Sequence, residues 1–256
     1  MQSDLVISTA TLLGFLLTLA RVAGVFVFVP IPGLGTRSSA ARVVLSLSIA
    51  VALFPYWPHP EGEVEGGLLT AWLLSEAALG IGIGLSVAFL TEGFNVAAQI
   101  MGLQAGYAYA STIDPNSNAD SSVLVIFAEL AAGMLFFALG LHREVFRVFA
   151  RSMEVAPAGA FTLSRNVGAQ LVLMGGTMFS TGVRLALPVV AVLLLVDLSL
   201  ALLGRVNAQL QLLTIAFPVK MLVGLAVFGW LLLLMPVLLR SGANAAFSAV
   251  QSLAVR

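Results

Sequence analysis

A chain of 256 residues that is 60% hydrophobic and 9% charged cannot clothe a soluble globule, for which about a quarter charged is usual. Twelve basic and twelve acidic side chains cancel to zero net charge and do not cluster, so the footprint of a nucleic-acid binder is missing. Without cysteine there is no disulfide framework, thiolate nucleophile, iron–sulfur site or cysteine zinc site. The composition is that of an integral membrane protein, and apolar runs near the roughly 20 residues of a membrane helix make an all-α fold the expectation.

Met1 to Leu5 contains Asp4 and neither Lys nor Arg, so it lacks a basic leader, and the first apolar run is expected to be retained. That run extends from Leu5 to Val29, is interrupted by Arg21 and closes at Pro30 and Pro32. A short second run, Val43 to Trp57, ends at Pro55 and Pro58. The third, Leu68 to Leu90, contains Glu76, and the fourth, Gly93 to Ser111, is more polar through Asn95, Gln99 and Gln104. Ser122 to Leu141 is the fifth and holds Glu129. Val167 to Gly204, with Arg184, Pro188 and Asp197, is too long for one simple span, so it reads as two segments or as a helix kinked near Pro188. Pro218 to Leu239 is the last. No fixed-period repeat or linker divides the chain, which reads as a single membrane-embedded domain, 1–256.

Arg37 and Arg42 lie in the first connection, and Arg143, Arg147, Arg151 and Arg165 follow the fifth run, against Glu61, Glu63 and Glu65 in the second connection. The positive-inside rule then puts the N-terminus outside and residues 142–166 in the cytoplasm. Arg205 and Lys220 flank one later connection while Arg240 and Arg256 flank the next, so the rule fails there. The C-terminal third is therefore not expected to cross a bilayer simply.

Five ionisable residues interrupt the apolar runs: Arg21, Glu76, Glu129, Arg184 and Asp197. Each costs about 2.5 to 3.5 kcal/mol at a helix centre on the insertion scale, so each is expected to be buried against protein or a watery cavity. Either they form a proton or ion pathway, or they are polar pairs between packed helices. Gly80, Gly82 and Gly84, with the GxxxG pairs Gly80/Gly84 and Gly102/Gly106, point to close helix packing. Asp114 to Asp120 spaces acidic and amide side chains like a calcium loop, yet Ala119 stands where the turn glycine belongs and Val125 where the bidentate Glu belongs. From His142 to Met153, Arg143, Arg147 and Arg151 recur at i, i+4 and i+8, with Val145, Phe146, Phe149 and Met153 expected around the other face, an amphipathic helix suited to the membrane interface or a partner subunit. His59 and His142 are too isolated for a metal site, and no catalytic constellation or cofactor motif occurs.

The order of these features resembles the FliR family, a flagellar export-gate subunit with a SctT-like counterpart in type III secretion. The resemblance opens with Arg21, Pro30-Ile31-Pro32-Gly33, Arg37, Arg42 and Pro55. It sharpens at Glu92, at Gln99-Ile100-Met101-Gly102-Leu103-Gln104-Ala105-Gly106, at Asp114-Pro115 and at Gly140-Leu141-His142. Arg205-Val206-Asn207-Ala208-Gln209-Leu210-Gln211 before Phe217-Pro218 matches a stretch in which the family usually has Pro where Ala208 stands and Asn where Gln211 stands.

The resemblance implies a non-enzymatic core subunit of helical hairpins that joins FliP-like, FliQ-like and FlhB-like partners. Together they form a spiral gate in the basal body of a flagellum or injectisome, in the bacterial inner membrane, and pass unfolded substrates. It implies a pore-closing plug in the segment from Tyr107 to Ser121, including Ala108, Tyr109, Ala110, Ser111, Thr112, Asp114 and Pro115. Arg205, Asn207, Gln209 and Gln211 are expected to contact neighbouring subunits, because lipid would leave their donors unpaired. The competing class is a proton- or ion-coupled solute transporter with Glu76, Glu129 and Asp197 as coupling sites.

Overall fold

In lipid, backbone amides must pair within their own segment, and each apolar run accordingly forms a helix. The computed structural model describes residues 8–30, 39–58, 65–107, 123–155, 165–206 and 212–254, and every regular element within them is helical. In chain order these are α1 (Thr9–Phe28), α2 (Ser39–Ala52), a 3-10 turn (Phe54–Tyr56), α3 (Gly66–Ala105), α4 (Val123–Ala138), α5 (Leu141–Val155), α6 (Arg165–Val206) and α7 (Leu212–Ala254). Among the described residues four helices, α1, α3, α6 and α7, are long and apolar enough to cross a membrane, or five spans if α4 and α5 make one bent crossing. The protein is an all-α, polytopic membrane protein.

Two expectations are corrected, and the long sixth run resolves to a single helix, one of the two readings its length allowed. The third and fourth runs are one helix, α3, of 40 residues. Glu92, Asn95 and Gln99 lower its apolarity without breaking it, because Glu and Gln are good helix formers and no proline intervenes. Likewise α6 runs unbroken for 42 residues with Pro188 inside it. Proline removes one backbone bond, to the Arg184 carbonyl, and flanking turns carry the helix past it. The last run extends beyond its apolar limits into α7, 43 residues with Pro218 and Pro236 inside. At about 1.5 Å per residue, α3, α6 and α7 are each about 60 to 65 Å long, twice a hydrocarbon core of about 30 Å.

By internal contacts the chain forms two compact units: one of Met1–Ala88, Gly140–Met174 and Ala243–Arg256, the other of Phe89–Leu139 and Gly175–Gly242. In the first, α1 buries Leu17, Thr18, Arg21, Val22 and Val25. The opposing stripe of α3 is Glu76, Leu79, Gly80, Ile83, Gly84 and Val87, the i, i+3, i+4 pattern of one helix face. Helix α5 buries Leu141, Val145, Val148, Phe149 and Ser152 at the same period. The second unit centres on Ala97, Ala98, Met101 and Ala105 of α3, Leu124 and Ala128 of α4, Ala186, Val189 and Leu193 of α6, and Phe228 and Leu231 of α7. Its many alanines let backbones approach where no hydrophobic drive separates helix from lipid.

The two GxxxG pairs behave differently. A Cβ on Gly80 would collide with the Arg21 carbonyl, one on Gly84 would lie 2.6 Å from the Val25 carbonyl oxygen, and one on Gly24 would lie 2.7 Å from that of Ala77. That pair packs α3 on α1, as expected. Gly106 is instead a helix stop. Its φ is 88°, the Tyr107 amide donates to the Gly102 carbonyl at 2.9 Å, and the Gly106 amide donates to Leu103 at 3.2 Å. This 6→1 and 5→2 pattern is a Schellman cap, which needs a left-handed residue that glycine alone adopts without strain.

Candidate functional site

The face of α1 that packs on α3 places one charge from each helix in the same apolar seam. Arg21 is 1% exposed and Glu76 is 2% exposed, and the Arg21 Nε donates to the Glu76 carboxylate. Its Nη1 reaches α5, donating to the Ser152 carbonyl at 2.8 Å and to the Ser152 hydroxyl at 3.3 Å. Ser152 Oγ in turn donates to the Phe149 carbonyl at 2.6 Å. One guanidinium therefore ties three helices together. Lysine could not do this: its single ammonium lacks the planar fork that faces a carboxylate and a carbonyl in different directions. The seam also holds Thr18, 1% exposed, whose hydroxyl has no hydrogen bond among the described residues.

The other three charges fare differently within this chain. Glu129 and Arg184 are exposed, and Asp197 is partly so. Their apolar surroundings in the sequence belong to helix faces that this chain leaves uncovered. Asp197 pairs with Lys220 of α7 at 3.0 Å, the two side chains being 40% and 18% exposed, a geometry that contributes about 1 kcal/mol at most. Arg184 is one turn from Pro188, which frees its carbonyl. On α3 the exposed Glu92 accepts a bond from Asn95 at 3.2 Å. The three carboxylates considered for ion coupling thus have separate environments, and Glu76 is held by a fixed cation. Among the described residues no three His, Cys, Asp or Glu side chains are grouped to hold a metal ion.

Of the segment expected to act as a plug, only Tyr107 is described; Ala108, Tyr109, Ala110, Ser111, Thr112, Asp114 and Pro115 lie outside the described residues. Its start is pinned. The Tyr107 hydroxyl donates to the Met221 carbonyl of α7 at 2.8 Å, and a Cβ on Gly224 would lie 2.8 Å from that of Ala105. Burial pushes the Tyr107 phenol above its ordinary pKa, so it remains the protonated donor. Arg205 is exposed in the last turn of α6, where a cation complements the helix dipole, while Asn207, Gln209 and Gln211 lie outside the described residues. Two of these contacts have no counterpart among the sequence expectations, Ser152 with Arg21 and Tyr107 with Met221. Neither carries a signal in its own neighbourhood.

A family model described as bacterial export proteins, family 1, matches residues 12–246. The flagellar biosynthetic protein FliR of Pectobacterium carotovorum subsp. carotovorum is 31% identical over 211 residues, 80% of this chain and 79% of that protein. FliR of Escherichia coli (strain K12) is 30% identical over 204 residues, 78% of each chain. The surface presentation of antigens protein SpaR of Salmonella typhimurium is 30% identical over 223 residues, 86% of this chain and 82% of that protein.

Proposed function

The chain belongs to the bacterial export proteins, family 1, and on that premise we propose that it is a core structural subunit of a flagellar or type III protein-export gate. In this reading it packs with FliP-like, FliQ-like and FlhB-like subunits in the bacterial inner membrane, at the basal body. Together they line the pore through which unfolded substrates cross, and the segment from Tyr107 to Ser121 closes it. The subunit works by packing and sealing, with no chemistry of its own.

One observation carries the reading. Helices α6 and α7, each about twice the length of a bilayer core, leave many large apolar side chains uncovered, including Leu194, Leu195, Leu198, Leu202, Leu222, Leu233 and Val237. Lipid can cover only half of such a length, and it cannot satisfy Arg184 or Glu129 on exposed faces. Helices of other subunits satisfy both requirements. Co-expression with FliP-like and FliQ-like chains tests this: a monodisperse complex should form where the chain expressed alone aggregates. A stable, monodisperse single chain in mild detergent, together with normal flagellar and injectisome export after its deletion, would overturn the proposal.

A further inference from the structure

Helix α5 has two faces of opposite character. Leu141, Val145, Val148, Phe149 and Ser152 are buried, Arg21 of α1 holds Ser152, and the Phe26 and Phe146 rings lie 6.2 Å apart. The helix therefore cannot roll, and the remaining face must point outward: Arg143, Phe146, Arg147, Ala150, Arg151 and Glu154 are all exposed. Glu144 takes Arg147 at 2.6 Å, whereas the side chains of Arg143 and Arg151 make no ion pair or hydrogen bond among the described residues. Three arginines against Glu144 and Glu154 leave one excess positive charge on the helix.

We propose that this face docks on the anionic phospholipid headgroups of the membrane that holds the chain. Guanidinium groups take phosphate oxygens in a planar, two-pronged bond. The three arginines recur on one line, one turn apart, with the aromatic Phe146, 45% exposed, between them. Cations on an outward face beside an exposed aromatic suit the boundary between headgroups and acyl chains. An acidic protein surface would match the arginines as well, and the two occupants differ in their dependence on the lipid headgroup. Chain order agrees: α5 follows the apolar α4 after a break of two residues, Leu139 and Gly140. Arg143, Arg147, Arg151 and Arg165 also make this the most basic connection, the kind that faces the anionic cytoplasmic leaflet. The proposal requires only a membrane and stands apart from the export reading.

The test is a thermal-stability titration of the full chain, alone or in its purified complex, with phosphatidylglycerol or phosphatidylcholine added to the detergent. Phosphatidylglycerol should stabilise the wild-type protein at lower concentration, and added salt should weaken the preference. R143Q/R151Q should need roughly fivefold more phosphatidylglycerol per arginine removed, about 25-fold for the pair. R143K/R151K should keep most of the preference, and Arg240→Gln, which removes an exposed cation of α7, should keep all of it. Equal responses to both lipids, or an R143Q/R151Q titration identical to wild type, would overturn the proposal. Loss of a co-purifying subunit from R143Q/R151Q with its lipid response unchanged would also overturn it, in favour of an acidic protein partner.

Discussion

Replacing Arg21 with Met should unlock the helices that its guanidinium joins. The substitution keeps most of the side-chain volume but removes the cation that faces the buried Glu76 carboxylate, 2% exposed, and the donor to the Ser152 carbonyl. Breaking a buried pair by deleting one partner costs about 3 to 5 kcal/mol. That is roughly a 100- to 4,000-fold shift in the unfolding equilibrium. At about 2 to 4 °C per kcal/mol for a chain of this size, the midpoint should fall by about 6 to 20 °C. The assay is thermal unfolding of the purified chain or complex in one detergent, for R21M, E76M and R21M/E76M. The double variant should recover to within about 2 kcal/mol of wild type, because apolar replacement of both charges is often neutral. R21E/E76R should not recover, since a carboxylate at position 21 would face the Ser152 carbonyl. A loss under about 1 kcal/mol for R21M, or additive effects in the cycle, would refute the clamp.

Gly80→Ala should push α3 away from α1 and destabilise by about 1 to 3 kcal/mol, measured by the same unfolding assay, because its Cβ would meet backbone at Arg21. Thr18→Val should be neutral or stabilising by about 1 kcal/mol, since the buried hydroxyl it removes has no hydrogen bond among the described residues. Deleting part of the segment between Tyr107 and Ser121 should raise small-solute leakage in cells carrying the assembled gate, and Tyr107→Phe, which loses the bond to Met221, should do so more weakly. Wild-type permeability with an intact complex would end the plug assignment. R205A/Q209A should lower recovery of the complex in affinity pull-downs without changing membrane insertion of the chain; unchanged recovery with normal export would make that stretch a solvated loop.

Much of this architecture is written in local chemistry. Apolar runs become helices because lipid forbids unpaired amides, and the period of Arg143, Arg147 and Arg151 against Val145 and Phe149 already separates the two faces of α5. The packing role of Gly80 and Gly84 was legible too, because small residues one turn apart form a groove whatever fills it. Gly106 has the same spacing from Gly102 and a different fate. Its left-handed φ depends on where α3 must stop to meet α7, and spacing carries no information about that. Polarity also misled at Asn95, Gln99 and Gln104: lowered apolarity signals a change of neighbour, whereas helix breaking needs a lost backbone donor or a cap.

Composition and pattern therefore determined that the chain is helical, membrane-bound and in need of partners for its charges. Which partners those are was decided only by tertiary structure. Arg21 meets Glu76 across 55 residues and Ser152 across 131, distances in sequence at which no local periodicity can report. Glu129 and Arg184 look the same on paper as Arg21, isolated charges in apolar runs, yet they emerge on exposed helix faces. Burial depends on which face of a helix another helix covers, and that is a property of the packed pair rather than of either segment.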